Sequence, residues 1–140
     1  MKISARNVLA GKVEKVTKGA VNAEVELTLS GGEKIASIIT NASVDALQLS
    51  EGTSACAVIK ASEVLIGVEI EGARLRARNI LPGVVAHVED GAVNSEVTLT
   101  LAGGTKVVAS ITKASVQALG LKTGSSAAAI VKASSVMIGV

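Results

Sequence analysis

Val21-Asn22-Ala23-Glu24-Val25-Glu26-Leu27-Thr28-Leu29-Ser30-Gly31-Gly32 is the stretch that decides the fold. Val21, Ala23, Val25, Leu27 and Leu29 alternate with Asn22, Glu24, Glu26, Thr28 and Ser30, a period of two that belongs to a strand with one buried face. Gly31-Gly32 supplies a tight turn, and Lys34 to Thr40 is the returning strand of a hairpin. The chain then writes the same hairpin again. Val93, Ser95, Val97, Leu99 and Leu101 alternate in the same way, Gly103-Gly104 turns, and Lys106 to Thr112 returns.

The repetition extends outward from the hairpin in both directions. Ala5-Arg6-Asn7 returns as Ala77-Arg78-Asn79, Gly19-Ala20-Val21-Asn22 as Gly91-Ala92-Val93-Asn94, and Lys60-Ala61-Ser62 as Lys132-Ala133-Ser134. Residues 1–68 align with 73–140 without a gap, and more than half of the aligned positions are identical. The chain is a tandem of one small module, with 69–72 as a short linker that keeps the halves close. A unit of this size buries a modest core and needs a disulfide, a metal or association to support it. Cys56 is the only cysteine and answers to Ala128, which marks a small packing position. One thiol and one histidine make no metal site. Association remains.

Before each hairpin lies an extended run, Ile3 to Val16 with Gly11 as a bend or bulge, and Leu75 to Val88 with Pro82-Gly83 in that place. After each hairpin the period changes, and Asn41 to Leu47, like Lys113 to Leu119, predicts a short helix entered through a capping residue. Strands over Ser54 to Lys60 and Val64 to Val68 close the module. The expected fold is all-β: two tandem OB-like five-stranded barrels, each with one short helix. Whether the strands exchange between halves or between chains stays open.

Composition narrows the function. The chain is 49% apolar, yet holds no Phe, Tyr or Trp. Barrels of this type hold single-stranded nucleic acid by stacking bases on aromatic side chains, and a net charge of +2 adds little attraction, so nucleic acid is not the expected partner. No apolar run is long enough for a membrane span, and Met1-Lys2-Ile3-Ser4 begins no signal peptide, which leaves a cytoplasmic protein without a membrane partner. No catalytic set is visible. His87 stands alone opposite Lys15, Glu24 and Glu96 are the only carboxylates aligned in both copies, and there is no phosphate-binding glycine loop. The chain does not read as an enzyme.

What remains is a set of donor-rich segments at strand ends: Ser4-Ala5-Arg6-Asn7, Thr40-Asn41-Ala42-Ser43 and Lys60-Ala61-Ser62. They hold two cations, several hydroxyls and no carboxylate. A small tetrahedral dianion presents acceptors on every side and requires such a shell, strengthened by charge-assisted bonds and by the backbone N–H groups of a helix start. The same residues also serve plain capping and strand pairing. From the residues alone, an oxyanion site and an assembly module are both open.

Taken together, Ser4-Ala5-Arg6-Asn7, Gly19 to Val25, Ile39-Thr40 with Ser43, and Ile59-Lys60-Ala61-Ser62 closely resemble the molybdate-binding Mop domain, and the tandem resembles the two-Mop molbindins of bacterial molybdenum homeostasis. The resemblance covers nearly the whole of both copies. It implies an OB-like barrel for each half, a homotrimer with six such domains, and storage of molybdate or tungstate as ligand at interfaces between domains, with no cofactor. It implies Ser4, Arg6, Lys60 and Ser62 as the oxyanion donors of one domain, with Thr40 and Ser43 reaching across from a neighbour. In the second copy the set is Arg76, Arg78, Lys132 and Ser134, with Thr112 and Ser115. Arg76 departs from the family pattern, which has serine there, so the second-copy sites are expected to differ. A second class of oxyanion site is implied around Val21, Asn22, Val93 and Asn94. The alternative function is a structural or regulatory oligomerisation module without a storage role.

Overall fold

The computed structural model describes residues 1–140. In the first copy, β1 (Asn7–Lys18), β2 (Asn22–Leu29) and β3 (Lys34–Thr40) form an antiparallel meander, followed by α1 (Asn41–Ala46) and β4 (Ser54–Ile59). A single 3-10 turn, Ala61–Glu63, leads into the three-residue β5 (Leu65–Gly67). The second copy repeats the order with β6 (Asn79–Asp90), β7 (Asn94–Leu101), β8 (Lys106–Thr112), α2 (Lys113–Ala118), β9 (Ser126–Val131), the 3-10 turn Ala133–Ser135 and β10 (Met137–Gly139).

The period of two does what it implies. Ala23, Val25, Leu27 and Leu29 are buried while Glu24, Glu26 and Thr28 face outward. Val21 falls outside this pattern: β2 begins one residue later, and Val21 and Val93 are 69% and 73% exposed. The helix is as expected in place and in its cap, for the Thr40 side chain accepts a hydrogen bond from the Ser43 backbone N–H at 3.1 Å. Gly11 is not the bulge. The register shift lies between Val13 and Lys15, and again between Val85 and His87, while Gly11 stays in regular pairing with both Leu29 and Ala55. Glycine is required there because β1 passes from one ladder to the other at that point, and a Cβ would come 2.5 Å from the Thr28 carbonyl oxygen.

Each curled sheet has five strands, but only four come from one copy. The first sheet runs β10-β4-β1-β2-β3 and the second β5-β9-β6-β7-β8, so the two copies exchange their last strands. Leu65-Ile66-Gly67 and Met137-Ile138-Gly139 carry the same pattern, so either fits beside β4 or β9, and only the connection decides. The first sheet closes without a continuous ladder, where the buried Ser37 hydroxyl of β3 donates to the Val136 carbonyl just before β10 at 2.5 Å.

Two asparagines fasten the halves together. Asn7 is 1% exposed, and its carboxamide accepts from the Val108 N–H at 2.7 Å and donates to the Val108 carbonyl at 2.8 Å. Asn79 does the same to Ala36, at 2.7 and 2.8 Å. Each side chain thus satisfies one residue of an otherwise open sheet edge, β8 or β3, in the opposite half. The hairpin tips also meet. A Cβ on Gly103 would sit 1.9 Å from the Gly31 carbonyl oxygen, and Glu33 accepts from the Gly103 N–H and the Thr105 hydroxyl, both at 2.8 Å.

Candidate functional site

Because Asn7 pairs with Ile59 at the end of β4, the segment before β1 and the 3-10 turn after β4 lie side by side. Ser4 and Arg6 from the first, and Lys60 and Ser62 from the second, therefore line one cleft of about 400 Å³. Four of the expected donors are brought together from opposite ends of one module. The other wall comes from the second copy, with Glu96 of β7 and its strand partner Ser110 of β8. Larger hollows of about 650 and 770 Å³ lie over the exchanged strands, near Gly139 and Gly67. They offer mainly apolar surface and backbone, and an oxyanion is selected by donors rather than by volume.

Glu96 alters the expected all-donor shell. Arg6 Nη1 donates to Glu96 Oε1 at 2.5 Å, with the side chains 54% and 38% exposed. By the same repeat, Arg78 donates to Glu24 of β2 through Nε at 3.1 Å and also through Nη2. The Arg78 hydrogen bond holds the Glu24 carboxyl below the usual carboxylate range, and Glu24 in turn raises Arg78. Both pairs are partly hydrated, so neither adds much net stability. Lys60 on the first side, and Lys132 and Arg76 on the second, make no ion pair, which leaves them as the cations not already committed.

The corresponding residues of the second copy follow the same plan with different contents. Pairing of Asn79 with Val131 sets Arg78 beside Lys132 and the 3-10 turn that carries Ser134. Arg76 stands in place of Ser4, and Ile38, the strand partner of Glu24, stands in place of Ser110. The first cleft is richer in hydroxyls and the second in cationic charge.

Thr40 and Ser43 lie elsewhere. Thr40 Oγ1 sits 2.8 Å from Ser43 Oγ at the far end of β3, and Thr112 and Ser115 repeat this geometry. Within one chain these hydroxyls do not reach their own copy's cationic cleft. Thr40 instead pairs with Asn22, and Asn41 binds back to the Gly19 and Val21 carbonyls, so this cluster adjoins the Val21-Asn22 segment. The Asn41 side-chain oxygen is buried there without a partner. In the second copy, Asn94, the partner of Thr112, lines a depression together with Arg6, Glu89, Asp90 and Glu96.

Sequence reasoning missed two groups. Asn7 falls inside a donor-rich segment and Asn79 is its repeat, and both prove to be the fasteners of the halves. Glu24 and Glu96 were visible only as the carboxylates present in both copies, and that recurrence was the available signal.

With this geometry in view, the known proteins that the chain resembles can be set beside it. The TOBE domain family matches residues 3–66 and again 76–138. The chain is 41% identical over 140 residues to the molybdenum transport protein ModE of Herbaspirillum seropedicae, covering all of this chain and 52% of that protein. It is 43% identical over 138 residues to the molybdenum-pterin-binding protein MopA of Rhodobacter capsulatus, covering 99% of this chain and 52% of that protein. It thus spans about half the length of these curated relatives. Among solved structures, the cytoplasmic molybdate-binding protein ModG with molybdate bound superposes with a TM-score of 0.97 at 53% identity, covering 100% of this chain and 99% of that one.

Proposed function

The chain belongs to the TOBE-domain family, as a tandem of two modules of the Mop type, and from that premise we propose that it binds molybdate, with tungstate as a second ligand, and stores the oxyanion without chemical change. The observation that carries this reading is the gathering of Ser4, Arg6, Lys60 and Ser62 into one cleft. Their hydroxyls and cations donate to the acceptors that a tetrahedral dianion presents. Arg76, Arg78, Lys132 and Ser134 form the corresponding set in the second copy.

Thr40 with Ser43, and Thr112 with Ser115, complete the shells from a neighbouring chain in this reading, and the assembly is a homotrimer of six modules in the cytoplasm. Support for association comes from apolar rows on the outer faces. Val8 and Met137 flank Val58, and Ile80 and Leu65 flank Ile130, with the flanking side chains 38–57% exposed. Val21, Asn22, Val93 and Asn94, at the exposed mouths of the hairpins, form the second class of site.

The Arg6–Glu96 and Arg78–Glu24 pairs favour a second reading, in which the donors serve only to join the halves of an assembly module. Calorimetric titration with molybdate and tungstate, beside sulfate and phosphate, separates the two. Micromolar or tighter binding of molybdate is expected, and its absence would leave the assembly reading in possession. Light scattering at the mass of one chain would rule out the trimer.

A further inference from the structure

We propose that Glu96 and Glu24 are internal counter-ions of the two clefts, each holding an arginine until an oxyanion takes its place, and that their unequal grip makes the Arg6 cleft fill before the Arg78 cleft. The inference rests on the oxyanion reading above and adds to it the residues that set affinity and order of filling.

A carboxylate offers an arginine the same acceptor oxygens that an oxyanion does, and one edge of a guanidinium cannot serve both at full strength. Glu96 is a wall residue of the very cleft that holds Ser4, Arg6, Lys60 and Ser62, so a dianion entering there meets a like charge as well as donors. The other carboxylates near these donors are turned elsewhere: Glu63 beside Ser62 accepts from the Ser135 hydroxyl of the opposite copy at 3.2 Å, Asp90 accepts from the Ser95 hydroxyl at 3.0 Å, and Glu89 lies 3.3 Å from His87 Nε2. The competition therefore falls to Glu96. The pair is half open to water, which makes it exchangeable rather than a fixed strut. Lys60, free of any ion pair, is placed to draw the anion in before Arg6 changes partner.

The grip differs between copies. Glu96 takes Arg6 through Nη1 alone, whereas Glu24 takes Arg78 through both Nε and Nη2 in a two-point contact. Two-point pairs of this kind are stronger and more fixed in direction. Ser110 beside Glu96 offers a hydroxyl to an incoming oxyanion, while its counterpart Ile38 offers none. Both differences favour the Arg6 cleft and act against the extra cation that Arg76 brings to the other, so the order of filling measures the counter-ion's grip against that charge.

The test is calorimetric titration of the full chain and of its Glu96→Gln and Glu24→Gln variants, with molybdate and with perrhenate, a singly charged anion of the same shape. Glutamine keeps the side-chain outline and removes the competing charge. Glu96→Gln is expected to tighten the sites that fill first by about three- to tenfold for molybdate, with a smaller gain for perrhenate. Glu24→Gln should leave those sites unchanged and tighten the ones that fill later. If the parent binds molybdate and both variants bind it equally or more weakly, the counter-ion proposal is overturned while the oxyanion reading stands. If neither the parent nor either variant binds molybdate, both fall. Should Glu96→Gln unfold, judged by circular dichroism, Glu96→Asp shortens the reach to Arg6 and is expected to move the same sites in the same direction; unchanged or weaker binding would again overturn the proposal.

Discussion

The two copies agree at many of their buried core positions and differ where a residue would meet its own counterpart in the other copy. Val25, Leu27 and Leu29 answer to identical Val97, Leu99 and Leu101, all buried. Across the contact between halves, Glu33 faces Thr105 and Glu63 faces Ser135, and these are the same repeat positions in the two copies. A perfect repeat would set carboxylate against carboxylate at both places, so the tandem replaces one member of each pair with a hydroxyl that can donate. The Arg6–Glu96 and Arg78–Glu24 pairs cross between the copies unchanged because each joins unlike positions, and Asn7 and Asn79 do so too. A carboxamide both donates and accepts and binds the opposite backbone rather than its own counterpart, so it serves unchanged on both sides. Duplication within one chain has let a symmetric contact become complementary. The same freedom has given the two clefts different walls.

This comparison can be broken most forcefully in the shared core. Leu27→Ala and Leu99→Ala, both at fully buried positions, should each cost about 2–5 kcal/mol by urea unfolding, with similar losses for the two copies. A large difference would mean that the barrels are not equivalent. Next come the fasteners. Asn7→Ala and Asn79→Ala each strand a backbone N–H and C=O on the opposite sheet edge, at about 2–4 kcal/mol; losses below 1 kcal/mol would show that those edges find other partners. The smallest effect belongs to the asymmetric contact.

Burial works against the charge of Glu33, but donation from Thr105, Gly103 and its own backbone outweighs it and holds the carboxyl below its ordinary 4.5. As pH falls, the unfolded chain takes up the proton first. The stabilisation is therefore complete above that value and drains away as pH drops through the folded-state pKa. Glu24 and Glu14 are shifted in the same direction and add to the loss. Glu33→Gln should lower stability by about 1 kcal/mol at neutral pH and flatten the fall in melting temperature below pH 4.5, whereas an unchanged acid profile would remove Glu33 from the contact.

Much of this architecture was legible in the residues. The alternation from Ala23 to Leu29 set the hairpin, the glycine pair its turn, and Thr40 with Ser43 the start of α1. The segments that line the first cleft were marked too, because Lys60-Ala61-Ser62 and Ala5-Arg6-Asn7 recur at a fixed offset. The strand exchange was not, since Leu65-Ile66-Gly67 and Met137-Ile138-Gly139 satisfy either sheet equally and differ only in where their connections lead. Glu24 and Glu96 escaped for a related reason. Outward positions of a strand look solvated until a second barrel is laid against them, and nothing local to β2 or β7 announces that an arginine from the other copy will arrive there. Gly11 was noticed for the wrong cause: its rarity in a strand marked close approach of backbone, while the bulge fell at Glu14, an unremarkable residue.

Lys60 provides the most direct test of the central claim, because it lines the first cleft and has no ion partner to lose, so its removal acts on the ligand and spares the fold. Titration of molybdate into the parent and into Lys60→Ala, with unfolding midpoints measured alongside, isolates that role. The expected result is micromolar or tighter binding by the parent and a loss of about tenfold or more in the variant, at unchanged stability. Equal affinities for the two proteins would contradict the assignment of the Ser4–Arg6–Lys60–Ser62 cleft as the oxyanion site.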